Sequence, residues 1–319
     1  GDIENAHISY KNIIKRSNNA NAHVYSRAAI FFANNNLPDL YTETLNKLET
    51  IDPYSNELFI LKKNENYAKN IKITNIKQGI SEVFLNSAEI LFNEGLDRQA
   101  LIYAQISSYL EPKSDSANYL LGRIFKSINN NDRAIKYFKK VNEYSLVIHD
   151  ANIAYAETLY DIEGLSNSKE FLNNMEKSFP DNINYLRTMA ELFYKADDFE
   201  SSIQYYDLIF EKIDKIEFKH WPLFYSSGIA LERGKNWERA EKQFLTALQF
   251  VPNNPQVLNY LGYSWIDQGV NINRALEMIV NAAEQRPDDG YIVDSLGWAY
   301  FQIGNYEEAV INLEKAVAL

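Results

Sequence analysis

Residues 259–317 read NYLGYSWIDQGVNINRALEMIVNAAEQRPDDGYIVDSLGWAYFQIGNYEEAVINLEKAV, and the small residues of this stretch decide the fold. Gly262 and Gly297 head two similar units, Ala275 and Ala309 follow near the middle of each, and Pro287 closes the first. Paired small residues let two helices cross with their axes about 8 to 10 Å apart, where a large side chain on either would hold them off. Proline lacks the N–H that a continuing helix needs, so Pro287 marks the end of a second helix.

Toward the N-terminus the same marks return. Gly228 precedes Gly262, and beyond a small insertion Ala190, Ala156, Gly122 and Ala88 stand 34 residues apart. The second small position is filled by Ala240, Ser202, Ser168, Ala134 and Ala100, and Pro252, Pro180 and Pro112 supply the punctuation. Large apolar residues between these marks, such as Leu121, Phe125, Phe138 and Val141 or Leu261, Trp265, Ile279 and Ala282, form a continuous core. Gly95, Gly164, Gly234, Gly269 and Gly304 are placed to end the first helices in the left-handed conformation, and Asp97, Asp132, Asn236 and Asn305 to cap the second ones. The reading is all-α, a right-handed superhelical solenoid of stacked helix pairs.

A 34-residue period carrying these residues resembles the tetratricopeptide repeat. In that register the chain divides into a partial repeat at 1–21, a repeat at 22–55, an irregular connector at 56–80, and repeats at 81–114, 115–148, 149–182, 183–220, 221–254, 255–289 and 290–319, all within one solenoid of 1–319. Tyr41 replaces the second small residue of the repeat at 22–55, and NIKITNIK in the connector carries no core pattern, so a hinge is expected there. Ala6 and Tyr10 read as core positions of a second helix whose partner is missing, and the chain stops at Leu319 with no polar capping helix. Solenoids cover their last apolar face, so we expect a segment of a longer protein, or an end capped by a partner or by self-association near Ala316. The run DDGYIVDSLGWAYF further resembles C-terminal repeats of multi-repeat proteins common in alphaproteobacteria. That resemblance implies protein interaction as the function and a bacterial periplasmic or cytoplasmic setting.

The formal charge of −11, with no lysine- or arginine-rich block, argues against nucleic acid as a partner, because phosphate binding needs clustered cations. No apolar run is long enough to span a bilayer as a helix. Cysteine is absent, which removes disulfides, thiolate metal sites and cysteine nucleophiles together. The four histidines, His7, His23, His149 and His220, are scattered and form no ligand pair, so no metal, cofactor or catalytic residue is expected. Glu157 and Asp161 share a helix face, but a same-charge pair without a nucleophile or a glycine-rich phosphate loop is no catalytic constellation. The chain reads as not an enzyme.

Function is therefore expected on the concave wall lined by the first helices. Its candidate peptide- or protein-binding residues are Phe92, Tyr119, Arg123, Glu157, Tyr160, Arg187, Glu191, Tyr194, Tyr225, Tyr263 and Trp298. Aromatic and arginine side chains dominate binding hot spots, although individual tyrosines also serve the packing between neighbouring first helices. Acids alternate with Arg123, Lys126 and Arg187, which suits a mixed or basic peptide. The leading reading is a non-catalytic scaffold that holds a peptide or partner protein. The alternative is a regulatory arm of a longer enzyme.

Overall fold

The computed structural model describes residues 3–16, 22–63, 68 and 75–319. They belong to two compact units, Gly1–Ala196 and Asp197–Leu319. The boundary falls inside the stretch 183–220 that the sequence frames as one repeat.

The first unit contains α1 (Ile3–Arg16), α2 (Ala22–Asn34), α3 (Pro38–Ile51), α4 (Asn56–Lys63), α5 (Ile76–Asn93), α6 (Asp97–Leu110), α7 (Asp115–Ser127), α8 (Asn131–Phe138), α9 (Ile148–Glu163), α10 (Leu165–Ser178) and α11 (Ile183–Lys195). The second contains α12 (Phe199–Glu211), a 3-10 turn at Phe218–His220, α13 (Trp221–Arg233), α14 (Trp237–Phe250), α15 (Pro255–Asp267), α16 (Ile272–Gln285), α17 (Gly290–Gln302) and α18 (Tyr306–Ala318). Among the described residues every regular element is helical, and α2/α3, α5/α6, α7/α8, α9/α10, α13/α14, α15/α16 and α17/α18 pack as pairs. The fold is all-α, a solenoid of helix pairs.

The small residues have a specific structural cause. A Cβ on Gly122 would lie 2.4 Å from the Phe138 ring, on Gly228 2.6 Å from Phe244, on Gly262 2.8 Å from Ile279 and on Gly297 2.7 Å from Leu313. In each pair the large side chain stands one helical turn beyond the small residue of the second helix and rests on the backbone of the first. Where the first position is Ala88, the matching residue on α6 is Ala104, and both are fully buried. Helix spacing is thus set by complementary volumes rather than by small residues alone.

The turns are read correctly at Gly95, Gly164, Gly269 and Gly304, all with positive φ. At Gly234 the expectation fails, because Lys235 takes the left-handed conformation with φ +60°. Asn36, Asn129, Asp197 and Asn271 do the same elsewhere. Asp97 and Asp132 are not caps but first-turn residues of α6 and α8, where a carboxylate meets the positive end of the helix dipole. Asn305 does cap α18, accepting from the Glu308 N–H, whereas Asn236 makes no side-chain cap bond. Pro112, Pro180, Pro252 and Pro287 each follow a helix end by two residues.

Around the interrupted repeat, Tyr41 of α3 fills its unusual position by donating from its hydroxyl to the Leu61 carbonyl of α4 at 2.8 Å. Part of the connector is therefore ordered helix, and α5 begins at Ile76, ahead of residue 81, with Asn75 accepting from the Gln78 N–H as its cap. Most of NIKITNIK, together with any hinge in it, lies outside the described residues. Tyr10 of α1 packs against Phe31 at 5.0 Å between ring centroids. His149 and His220 are buried and serve structure: His149 Nδ1 meets the Tyr185 hydroxyl at 2.6 Å, and His220 Nδ1 accepts from the Glu217 N–H at 2.9 Å.

Candidate functional site

Four successive first helices of the first unit, α5, α7, α9 and α11, turn the same face toward one cavity of about 780 Å³. Helical periodicity explains the alignment: residues three and four apart share a face, and Tyr119, Arg123 and Lys126 stand at that spacing on α7. The wall comprises Glu89 and Phe92, then Tyr119, Arg123 and Lys126, then Asp150, Ile153 and Glu157, then Arg187. Across from it lies the corner between α3 and α4, which contributes Asp52, Tyr54, Ser55, Asn56 and Glu57.

Charges on this wall are paired between neighbouring helices. Arg123 bonds Glu89 at 3.3 Å and lies over the rings of Phe92 and Tyr119, at 4.8 and 5.6 Å from their centroids. Lys126 bonds Glu157 at 2.5 Å. Arg187 lies 3.6 Å from Glu191 and covers the Tyr54 ring at 5.4 Å. The lining holds five carboxylates, Asp52, Glu57, Glu89, Asp150 and Glu157, against three cations. Burial pushes the Asp150 carboxyl up to about 7; the Asn56 hydrogen bond opposes this, and Glu57 and Asp52 reinforce it. Burial also raises the Tyr119 hydroxyl far above its ordinary range.

The corner is held by amides. Asn56 Nδ2 donates to Asp150 Oδ1 at 2.8 Å, while its Oδ1 accepts from Asn182 Nδ2 at 2.8 Å and Asn184 Nδ2 at 2.9 Å. Asn184 Nδ2 also donates to the Tyr54 carbonyl at 2.9 Å. Lys63 bonds Asp181 at 2.8 Å, and Phe59 meets the His149 ring edge-on.

Of the sequence-derived candidates, Phe92, Tyr119, Arg123, Glu157 and Arg187 line this cavity, and Glu191 joins through Arg187. Tyr160 stands apart on α9 beneath the Lys195 ammonium, and Tyr194 is half-buried on α11. In the second unit Tyr225 packs against Phe244 and Tyr260, a core role, whereas Tyr263 is exposed. Trp298 stacks on Phe301 at 5.5 Å with its buried Nε1 unpartnered among the described residues. At the far end of that unit Tyr291 and Val317 are 89% and 90% exposed.

The candidate set omits Asn182, Asn184 and the whole α3–α4 corner. The signal available was the broken period after Pro53, which reads as a connector; nothing local tells that it folds back onto helices about 130 residues later. Among the described residues no group of three or more acids and histidines could hold a metal, and no helix is long and apolar enough to cross a membrane.

Comparison with known proteins bears on the same architecture. The tetratricopeptide repeat family model matches residues 115–146 and 294–319. A TPR repeat-containing protein of Pseudomonas aeruginosa is 25% identical over 208 residues, which is 64% of this chain and 34% of that protein. The chain thus spans about a third of that relative's length. A solved tetratricopeptide repeat protein from Parabacteroides merdae superposes with a TM-score of 0.54 at 14% identity, over 75% of this chain and 93% of that one. The C-terminal part of a TPR repeat-containing protein from Cytophaga hutchinsonii gives a TM-score of 0.51 at 16% identity, over 74% and 95%.

Proposed function

Since this chain is a tetratricopeptide repeat protein, we propose that it is a non-catalytic scaffold whose first unit holds a segment of a partner protein against the wall formed by α5, α7, α9 and α11. Stacked helix pairs offer an extended surface and no enclosed reaction chamber, which suits binding rather than catalysis. The observation that carries the reading is the cavity of about 780 Å³, where Phe92, Tyr119 and Arg123 lie side by side. Rings and guanidinium groups of this kind bury much area while ordering few torsions.

Charge selects the segment. Each wall cation already has an acid beside it, and the surplus of carboxylates favours a ligand carrying lysine or arginine, whose charge would also draw Asp150 into its ionised form. The repeats of the second unit, with Tyr263 and Trp298, form an additional candidate surface of the same kind.

Peptides selected from a random displayed library on the wild-type chain should be enriched in basic residues. They should lose at least tenfold in affinity for Phe92→Ala and for the pair Asp150→Asn and Glu157→Gln, with circular dichroism unchanged. Equal binding by wild type and both variants would place the working surface elsewhere.

A further inference from the structure

The α3–α4 corner meets its wall through the interactions by which a groove reads a peptide. A main-chain carbonyl, that of Tyr54, accepts from a side-chain amide of the wall, Asn184 Nδ2. A side-chain amide, that of Asn56, is recognised at both ends, by Asp150 on its Nδ2 and by Asn182 and Asn184 on its Oδ1. An aromatic ring, Tyr54, lies under a guanidinium group, Arg187. Asn56, Asn182 and Asn184 are all buried, so the amide bonds among them are made away from competing water.

One bond is missing. Asn184 is 5% exposed, and its Oδ1 is buried without a partner among the described residues. A side-chain amide can grip a peptide by two bonds, donating to a carbonyl and accepting from an N–H. The resident corner satisfies only the donating half. A buried acceptor left open costs free energy that a better-fitting segment would recover.

We propose that Asp150, Asn182, Asn184 and Arg187 form a peptide-recognition site whose resident ligand is the chain's own Tyr54-Ser55-Asn56 corner, and that a partner segment with an aromatic residue two positions before an asparagine displaces it. The corner also lines the adjacent cavity, so its release opens that cavity along one side. The resident segment therefore works as a competitor in cis, and a partner must match its pattern to enter. This inference rests on the wall being a protein-binding surface.

The test uses the full chain and a fluorescein-labelled octapeptide, TIDPYSNE, copied from residues 50–57, with TIDPASAE as its control. Asn56→Ala, which weakens the resident, should bind the octapeptide at least tenfold more tightly than wild type. Adding Asn184→Ala should abolish that binding, and the control should bind neither protein. On the unmodified chain, excess octapeptide should speed hydrogen exchange across residues 53–58, a readout independent of how well any variant folds. Unchanged exchange at millimolar octapeptide, with no gain for Asn56→Ala, would show that the corner is a permanent part of the fold. If basic library peptides still bound under those conditions, the displacement idea would fall alone; loss of both kinds of binding would remove the wall as a binding surface.

Discussion

Gly122 and Gly79 are both helical glycines, yet their surroundings demand opposite things of a methyl group. At Gly122 the added Cβ meets the Phe138 ring at 2.4 Å, whereas at Gly79 nothing lies within 4 Å. Gly122→Ala should therefore lower stability by about 1 to 3 kcal/mol through overpacking. Gly79→Ala should raise it by about 0.5 to 1 kcal/mol, because alanine loses less backbone entropy on folding. Urea unfolding of the two variants checks this, and a gain at Gly122 would mean that the helix crossing is looser than described. Lys235 offers a further residue-scale case. Its φ of +60° costs a side chain about 1 kcal/mol, so Lys235→Gly should stabilise the second unit. The crossings were legible because both partners of a crossing lie within one period of sequence. Lys235 was not, since Gly234 beside it is the residue that local rules would choose.

Among the elements, α9 carries two adjacent groups, His149 buried and Asp150 half-buried, with opposed titration. Asp150 ionises near 3.8 when unfolded and is pushed up to about 7 by burial, so the folded unit binds more protons between these values and loses stability as pH rises through them. His149, lowered by burial from 6.5 to about 4, makes the folded unit bind fewer protons in that range and gain stability as pH rises. The two effects oppose each other up to about pH 6.5, and above it only the Asp150 loss continues. Asp150→Asn keeps an acceptor for Asn56 and removes the ionisation. It should stabilise the first unit by on the order of 3 kcal/mol more at pH 8 than at pH 5. An advantage independent of pH would refute the assignment. The pairing of Asp150 with Asn56 could not be read from sequence, because it depends on how far the helix stack curves before meeting its own beginning.

For the whole chain, the division into two compact units gives each its own prospects. The second unit has a continuous core from Leu231 through Trp265 to Leu296 and seven helices to build it. A protein consisting of Asp197–Leu319 alone should be helical and unfold cooperatively in urea, as repeat arrays with nearest-neighbour contacts do. A broad, non-cooperative loss of ellipticity would show that this core does not sustain itself. The periodic architecture was legible across nearly the whole chain, because each repeat writes the same packing problem into its residues. The exception is the stretch after Pro53, where the chain stops repeating and its partners lie far along the sequence.

That separation acquires a meaning in time when the chain is made. Asn56 and its partner Asn182 are 126 positions apart, and at synthesis rates of about 5 to 20 residues per second the ribosome needs roughly 6 to 25 s to travel between them. Asp150 is made 94 positions after Asn56, but through the whole interval Asn182 and Asn184 are still missing, and anything in the cell able to hold a Tyr-Ser-Asn turn meets the nascent corner before its own wall is complete.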